Sequence, residues 1–299
     1  MTSSFVAVDV GGTTVKAGLF SAGTLTDVRE SPTNGGAGPE HLVGRIAAIV
    51  SDVVELADLR GSPAVGAGVV LPGVVDHASG VVVESANLGW SDVPIKRLLE
   101  DSLDLPVEVG HDVRAGAIAE ARSGAGRDYD PVLFAAVGTG LGIAVVEQGC
   151  ATRAGGSRFT GEIGQLQVLA GGPTIESVVS APGIARAFER RSGLPERSVD
   201  SVDVVAALHG GDAVAMEVWK DAVDQLALVL MSAVLVAGAT RVVVGGGLAA
   251  AGLTLLDPLR TAMAAHSIFG RIASVEVAAY GRYAACVGAG ILASEECGT

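Results

Sequence analysis

The chain has 299 residues, a net charge of −13, and a composition that is 49% hydrophobic but only 4% aromatic. The excess of 33 acidic over 20 basic residues argues against a broad surface for nucleic acid or for an anionic membrane, because both need clustered positive charge. The length predicts one large domain or two lobes, and the 42 glycines predict many tight turns.

The sequence features that bear on localisation favour a cytoplasmic protein. The start of the chain leads directly into strand-like sequence without the pattern of a signal peptide. Cys150, Cys286 and Cys297 form no CxxC pair, so we expect free thiols in a reducing compartment. The apolar stretch 213–239 carries four charges in its first half, which predicts a buried helix rather than a membrane span.

The first part of the chain alternates β-rich runs with helical patterns, as is typical of α/β proteins. FVAVDV, VKAGLF and TLTDVRE predict an antiparallel meander, and SPTNGGAGPE (31–40) predicts a loop. A helix near 40–58 and the strand AVGAGVVL follow. VPIKRLLEDS then predicts a short helix, PVEVG a strand, and DVRAGAIAEARSG a helix that ends at Gly124.

The turn-rich segment 123–131 predicts a hinge. We therefore expect lobes at 1–122 and 123–283, with a C-terminal helix (284–299) that packs back on the first lobe. PVLFAAV and LGIAVVE open the second lobe, which is otherwise mainly helical, with strands at 241–244 and 274–279. One strand–turn–strand pattern occurs twice, in AVDVGGTTVKAGLF and in FAAVGTGLGIAVVE. Either the two hairpins are alike by chance, or the fold is duplicated and the two turns face each other across a cleft.

The motif VDVGGTTVKAG is the most specific signal in the chain. Glycine N–H groups and threonine hydroxyls can donate to phosphate oxygens, and a carboxylate at the strand end suits a hydrated Mg²⁺. The motif is neither a P-loop nor a dinucleotide fingerprint. The expected nucleotide-binding residues of this turn are Asp9 (also the Mg²⁺ residue), Gly11, Gly12, Thr13, Thr14 and Lys16.

Two further glycine turns extend this prediction. Gly138, Thr139 and Gly140 offer a second phosphate cradle, which would be weak alone but can clamp a polyphosphate together with the first. Gly245, Gly246 and Gly247 follow a strand and leave room for a base or ribose. An ordinary strand-to-helix turn stays the alternative for the third.

The order of these three turns resembles the superfamily of sugar kinases, actin and heat-shock ATPases. More narrowly, VVLPGVVDHASGVVVESANLGWSDVPIK, PVEVGHDVRAGAIAEA and GEIG resemble the ROK family of sugar kinases and repressors, over nearly the whole chain. The resemblance implies an α/β fold of two actin-like (ribonuclease H-like) lobes, with ATP, Mg²⁺ and a hexose in the cleft between them. It also implies a homodimer.

Asp112 matches the family's catalytic base, which accepts the proton of the sugar's 6-hydroxyl. A base at this place is also reasonable on physical grounds, because phosphoryl transfer needs an aligned hydroxyl and a proton acceptor. A simple helix cap is the alternative for an acid that opens a helix. By the same resemblance, the residues that contact the sugar are Gly73, Asn87, His111, Asp112, Glu162, Gln165 and Glu176.

The segment GEIGQLQVLAGGPTIE departs from the family. Many members hold a structural zinc with one histidine and three cysteines, but here Gln165 replaces the histidine and no cysteine is present, so we expect no zinc. We expect Leu166, Val168, Leu169 and Ile175 to hold the segment by packing instead.

These departures bear on the substrate. Gln165 can donate and accept, and His111 stands where the family has an asparagine; it either is a tolerated replacement or receives a donor such as a sugar amine. Glucose and an amino sugar such as kanosamine are the leading substrates. The alternatives to a kinase are a non-catalytic sugar-binding protein and a ROK-type regulator. We disfavour the regulator because the phosphate turn begins at Asp9, which leaves no room for a preceding DNA-binding domain.

Overall fold

A computed structural model of the chain describes residues 3–34, 38–152, 161–267 and 273–297. The fold has two compact units, each built around one five-stranded sheet. Of the described residues, 3–119 and 283–297 belong to the first unit and 120–152 and 161–282 to the second. Residues 35–37 of the predicted loop and 298–299 of the predicted C-terminal helix lie outside the described residues.

The first unit contains the predicted meander and the two strands expected after it. Its main sheet has the order β3-β2-β1-β4-β8, and a small antiparallel sheet, β5-β6-β7, was not predicted. The strands are β1 (Ser4–Val10), β2 (Thr14–Ser21), β3 (Thr24–Pro32), β4 (Ala64–Leu71), β5 (Val74–Asp76), β6 (Val81–Ser85), β7 (Trp90–Val93) and β8 (Val107–His111). The helices are α1 (Pro39–Leu59), α2 (Ile95–Glu100), α3 (Asp112–Ser123, of which residues 112–119 belong to this unit) and α9 (Ala284–Glu296).

The core of this unit follows from its apolar strands. Every residue of β1 is buried, as is expected for a strand with a packed layer on both faces. Helix α9 packs against β1 and β4, and Gly68 of β4 lets it approach closely, because a Cβ at this position would lie 2.0 Å from the Ala289 carbonyl oxygen.

The second unit has a sheet of order β11-β10-β9-β12-β13 and a larger set of helices. Its strands are β9 (Val132–Val137), β10 (Leu141–Glu147), β11 (Cys150–Ala151), β12 (Arg241–Gly245) and β13 (Ser274–Val277). Its helices are α4 (Ile175–Val179), α5 (Ala181–Ser192), α6 (Ser201–His209), α7 (Ala213–Ala237) and α8 (Leu253–Ala265), with 3₁₀ turns at Ile163–Gln165 and Gly247–Ala251.

Helix α7 is the predicted apolar helix, and it buries one face, including Trp219, Leu226 and Leu230, in the core of the second unit. Over the described residues, no helix combines the length and the apolar character that crossing a bilayer requires.

The two sheets have the same topology, which confirms that the fold is duplicated. In each sheet the first strand pairs antiparallel with the next one along the chain and parallel with a later strand, and that later strand pairs parallel with the edge strand. The first hairpin of each sheet is joined by one of the predicted Gly-Thr turns. Ligands of such sheets bind at the carboxyl ends of the parallel strands, so this edge of each unit is where the site residues should lie.

Candidate active site

The first glycine turn joins β1 to β2, and an ion pair lies beneath it. Asp9 and Lys16 are opposite each other in the antiparallel register, and Lys16 Nζ donates to Asp9 Oδ2 over 2.7 Å. Burial raises the pKa of the Asp9 carboxyl, and the charge and hydrogen bond of Lys16 act in the opposite direction. Lys16 therefore compensates a buried carboxylate that would otherwise be costly.

The shape of this turn is fixed by a residue that the sequence analysis did not single out. Gly11 N–H donates to the Thr14 carbonyl over 2.9 Å. The hydroxyl of Thr33 donates to the Gly11 carbonyl over 2.6 Å, and the Thr33 N–H donates to the Thr13 carbonyl over 2.9 Å. Thr33 is completely buried, although it lies in a segment whose composition indicates only a loop.

Gly73 lies at the same sheet edge as this turn, and Asn87 lies beside the turn itself. Gly73 follows β4 with a φ of 104°, and a Cβ there would lie 2.3 Å from the Glu84 carbonyl oxygen, so only glycine fits. A Cβ added to Gly12 would lie 3.6 Å from the Asn87 Cβ. The structure thus places the exposed Asn87 beside the first glycine turn.

Asp112 is the first residue of α3 and follows directly after β8, as predicted. Because β1, β4 and β8 are parallel neighbours, Asp112 lies at the same sheet edge as the Gly11–Gly12 turn. Its Oδ1 accepts from the N–H of Val113 over 2.7 Å, and the side chain is 25% exposed. The carboxylate is therefore held by its own helix while part of it stays accessible.

His111 precedes Asp112 and is a buried, neutral imidazole. Burial, followed by the charge of Arg114, lowers the pKa of His111 from its ordinary 6.5 to about 3. Its Nε2 lies 3.6 Å from Asp112 Oδ1, which is too long for a hydrogen bond. The neutral ring means that the two residues do not form an ion pair.

The tautomer of His111 follows from the backbone. The N–H of Arg114 points to His111 Nδ1 over 3.3 Å, and a backbone N–H can only donate, so Nδ1 is the acceptor and Nε2 carries the proton. The prediction that His111 receives a hydrogen bond from a sugar amine does not fit this tautomer, because the protonated Nε2 can only donate.

In the second unit, the other two glycine turns lie side by side. They follow β9 and β12, which are parallel neighbours. Gly246 has a φ of 82°, and a Cβ there would lie 2.4 Å from the Val137 carbonyl oxygen; a Cβ on Gly138 would lie 3.4 Å from Gly247 N. The Gly138–Gly140 turn and the Gly245–Gly247 turn therefore form one continuous backbone surface.

The segment 161–175 lies against β10, and only some of its apolar residues pack. Ile175 is buried, whereas Leu166, Val168 and Leu169 are 53%, 50% and 74% exposed, so the expectation that all four pack is wrong for three of them. Backbone hydrogen bonds also hold the segment: Ile143 N–H donates to the Gly161 carbonyl over 3.1 Å, and Ile175 N–H to the Leu166 carbonyl over 2.9 Å. These hydrogen bonds and the packing of Ile163 and Ile175 together hold the segment.

Of the predicted sugar ligands of this unit, Glu162 and Gln165 lie within that segment and Glu176 directly follows it. Glu162 is half-buried and Gln165 is exposed, and the Gln165 N–H donates to the Glu162 carbonyl over 3.1 Å. Glu176 lies in the first turn of α4, whose N-cap is Thr174. Its Oε2 accepts from the N–H of Leu141 over 3.1 Å.

A cavity of about 530 Å³ opens beside Thr139. Its walls are one side of α5, the α5–α6 connection and the start of α6. They combine apolar side chains with three arginines and three carboxylates: Ala181, Pro182, Ala185, Leu194, Val199, Arg186, Arg190, Arg197, Glu189, Glu196 and Asp200. The three positive charges and the three negative charges of this lining balance each other.

The described ranges contain no group of three or more His, Cys, Asp or Glu side chains placed to hold a metal ion. These ranges include residues 161–176, the segment in which many family members were said to hold zinc. Asp9 lies near the end of β1, beside the first glycine turn, and one carboxylate is a suitable protein contribution to a phosphate-bound Mg²⁺.

The two duplicated sheets with glycine turns at their carboxyl edges define an actin-like α/β ATPase fold. Residues 5–296 match the model of the ROK family, and the chain belongs to this family. It is 30% identical to a glucokinase of Halalkalibacterium halodurans, over 98% of this chain and 95% of that protein.

Solved structures agree on the fold. A ROK family glucokinase of Streptomyces griseus, in complex with glucose and AMPPNP, superposes with a TM-score of 0.86 at 24% identity, over 99% of this chain and 100% of that chain. A ROK family transcriptional regulator, a homologue of the E. coli MLC protein, superposes with a TM-score of 0.83 at 19% identity, over 97% of this chain and 77% of that one. At these identities the likeness shows the fold, and the site residues have to distinguish the activities.

Proposed function

We propose that this protein is an ATP- and Mg²⁺-dependent kinase that phosphorylates the 6-hydroxyl of a glucose-like hexose or amino sugar, with Asp112 as the base. The observation that carries the proposal is the position of Asp112. Its carboxylate follows β8 at the same sheet edge as the Gly11–Gly12 turn after β1, so a proton acceptor and a phosphate cradle belong to one edge of one sheet. The glucokinase relative supports a sugar kinase.

In the proposed reaction, the oxygen of the sugar's 6-hydroxyl attacks the terminal phosphorus of ATP. Asp112 accepts the proton of this hydroxyl, and ADP leaves. The base is held by the Val113 N–H, which orients one carboxylate oxygen before the sugar arrives. Such positioning contributes much of the rate in phosphoryl transfer. Asn87, beside Gly12, is suited to hold a sugar hydroxyl close to the transferred group.

The residues present fit a magnesium ion. Asp9 presents a buried carboxylate next to the phosphate turn, and Lys16 offsets its burial. When bound, Mg²⁺ supplies neutralisation of charge on the phosphate oxygens. Lys16, Thr13 and Thr14 would add donors to the same oxygens.

The cavity beside Thr139 favours a nucleotide over a chain of inorganic phosphates as the donor. Its apolar walls suit a base and ribose, and the balance of three arginines by three carboxylates gives no excess positive charge for a polyphosphate. Phosphorylation rates with ATP and with polyphosphate at equal phosphate concentration test this part of the proposal.

His111 bears on the choice of sugar. Its protonated Nε2 suits an acceptor such as a hydroxyl oxygen, whereas Asp112, Glu162 and Glu176 are the groups that suit an ammonium. A comparison of kcat/KM for glucose, mannose, N-acetylmannosamine, glucosamine and kanosamine distinguishes the candidates. A preference for glucose over every amino sugar would rule out the amino-sugar substrate.

A regulator or a non-catalytic sugar-binding protein is the second candidate, because a ROK regulator shares the fold. The net charge of −13 disfavours DNA binding. ATP turnover that depends on added sugar separates the kinase from both alternatives. The homodimer implied by the family belongs to the proposal as well, and light scattering on the purified protein tests it.

The test of the proposal is the Asp112→Asn variant. We expect unchanged folding and ADP binding and a loss of sugar phosphorylation of at least about a hundredfold, since general-base catalysis contributes about 10²–10⁴. Activity close to that of the wild type in this variant would refute the role of Asp112.

A further inference from the structure

Glu176 is the side chain that joins the second phosphate turn to the sugar-side segment. The turn Gly138–Gly140 is followed at once by Leu141, the first residue of β10, and Leu141 N–H donates to Glu176 Oε2 over 3.1 Å. The two residues are 35 positions apart in the chain. This hydrogen bond fixes the peptide that ends the turn.

The packing around the same carboxylate oxygen is close on both sides. A Cβ added to Gly140 would lie 2.5 Å from Glu176 Oε2, and one added to Gly164 would lie 3.2 Å from the same oxygen. Gly140 belongs to the phosphate turn, and Gly164 lies between Glu162 and Gln165. The absence of side chains at both glycines is therefore what lets the carboxylate reach the backbone of the turn.

Backbone hydrogen bonds hold the rest of the turn. Gly138 N–H donates to the Gly140 carbonyl over 2.9 Å, and the Gly138 carbonyl accepts from Ala181 N–H, at the start of α5, over 2.8 Å. Glu176 adds a charged acceptor to this set, and charged acceptors form the stronger hydrogen bonds. A flexible glycine turn held in this way loses less entropy when it binds phosphate.

We infer that Glu176 is a positioning residue of the nucleotide site, in addition to the sugar contact proposed for it. The inference rests on the proposed function in one respect, that the Gly138–Gly140 turn binds phosphate. One oxygen of Glu176 holds the turn through Leu141, so the nucleotide affinity depends on this side chain even when no sugar is present.

The test is the affinity for ADP with Mg²⁺, measured by calorimetry without any sugar. Glu176→Ala removes the acceptor and is expected to raise the Kd for ADP about tenfold, as is typical of the loss of one hydrogen bond to a charged group. Glu176→Gln keeps an acceptor oxygen at the same reach and is expected to stay within about twofold of the wild type. Rescue by glutamine would assign the effect to the hydrogen bond.

A matched control uses another carboxylate of the second unit that accepts from one backbone N–H. Asp212 Oδ1 accepts from Ala215 N–H over 2.9 Å at the start of α7, remote in sequence from every site residue. Asp212→Ala is expected to lower the melting temperature but to leave the Kd for ADP unchanged. If Glu176→Ala fails to fold, Glu176→Asp, which retracts the carboxylate by one methylene, replaces it.

The outcomes separate this inference from the proposed function. A wild-type protein that neither binds ADP nor phosphorylates a sugar would overturn the proposed function. A wild-type kinase whose Glu176→Ala variant binds ADP as tightly as the wild type, while its KM for sugar rises, would overturn the inference and leave Glu176 as a sugar ligand only.

Discussion

The buried neutral imidazole of His111 predicts a specific loss of stability in mild acid. In the unfolded chain this histidine titrates near its ordinary pKa of 6.5, whereas burial and Arg114 lower the pKa of the folded residue to about 3. Below 6.5 the unfolded state takes up a proton that the folded state does not. The contribution of His111 to stability is therefore complete above pH 6.5 and decreases continuously as the pH falls toward 3.

The magnitude follows from the two pKa values. At about pH 5.5, one unit below the unfolded pKa, protonation favours the unfolded state about tenfold, a little over 1 kcal/mol. The neighbouring charges do not change the sign. Desolvation of the ring is the largest cause and the charge of Arg114 adds to it, so the pKa is lowered although the Asp112 carboxylate lies 3.6 Å away.

The assay is chemical denaturation of the wild type and of His111→Asn at about pH 7.5 and about pH 5.5. The wild type should lose a little over 1 kcal/mol more than the variant between the two values, and exposed His41→Asn should behave as the wild type. An NMR titration checks the cause: the ring should stay neutral above about pH 4, with the proton on Nε2. Equal losses in the wild type and in His111→Asn, or a ring that titrates near 6.5, would refute the reasoning.

Three further predictions follow from the turns and from the altered segment. Thr33→Val removes the hydroxyl that donates to the Gly11 carbonyl. We expect the free energy of unfolding to fall by about 1 kcal/mol and the Kd for ADP to rise severalfold. An unchanged Kd would count against a role for Thr33 in shaping the turn. Gly246→Ala forces a Cβ to 2.4 Å from the Val137 carbonyl oxygen and should lower the free energy of unfolding by about 2 kcal/mol. A Cβ on Gly247 meets nothing within 4 Å, so Gly247→Ala should lower it much less. Equal melting temperatures of the two variants would contradict this prediction. Metal analysis of the pure protein should find no stoichiometric zinc, because Gln165 stands where the family has a zinc-binding histidine, and one zinc per chain would show this prediction to be wrong.

Several contacts of the candidate site could not be predicted because they join distant segments. Thr33 reads as a loop residue, yet it braces a turn 20 positions earlier in the chain through two hydrogen bonds. Glu176 reads as a sugar ligand by resemblance, and its bond to Leu141 N–H depends on the packing of α4 against β10. The small sheet β5-β6-β7 was missed because its strands have only three to five residues, too few for a clear alternation of burial.

The apolar residues after Gln165 show how a pattern can mislead. Hydrophobic side chains in a glycine-rich segment suggested packing, but Leu169 is 74% exposed, whereas Ile163 and Ile175 of the same segment pack against the core of the second unit. Apolar character indicates that a residue can be buried, and only the surrounding surfaces decide whether it is.

Features that depend on neighbouring residues could be predicted from the chain: the α/β alternation, the two Gly-Thr turns, the duplicated pattern and the place of Asp112 at the start of α3. These follow from local hydrophobic periodicity and from the conformational demands of glycine. Which atoms meet became visible only in the folded protein. The tautomer of His111, the ion pair beneath the first turn and the hold of Glu176 on Leu141 each require two groups at hydrogen-bond distance, and that distance is set by how strands and helices pack rather than by their order in the chain.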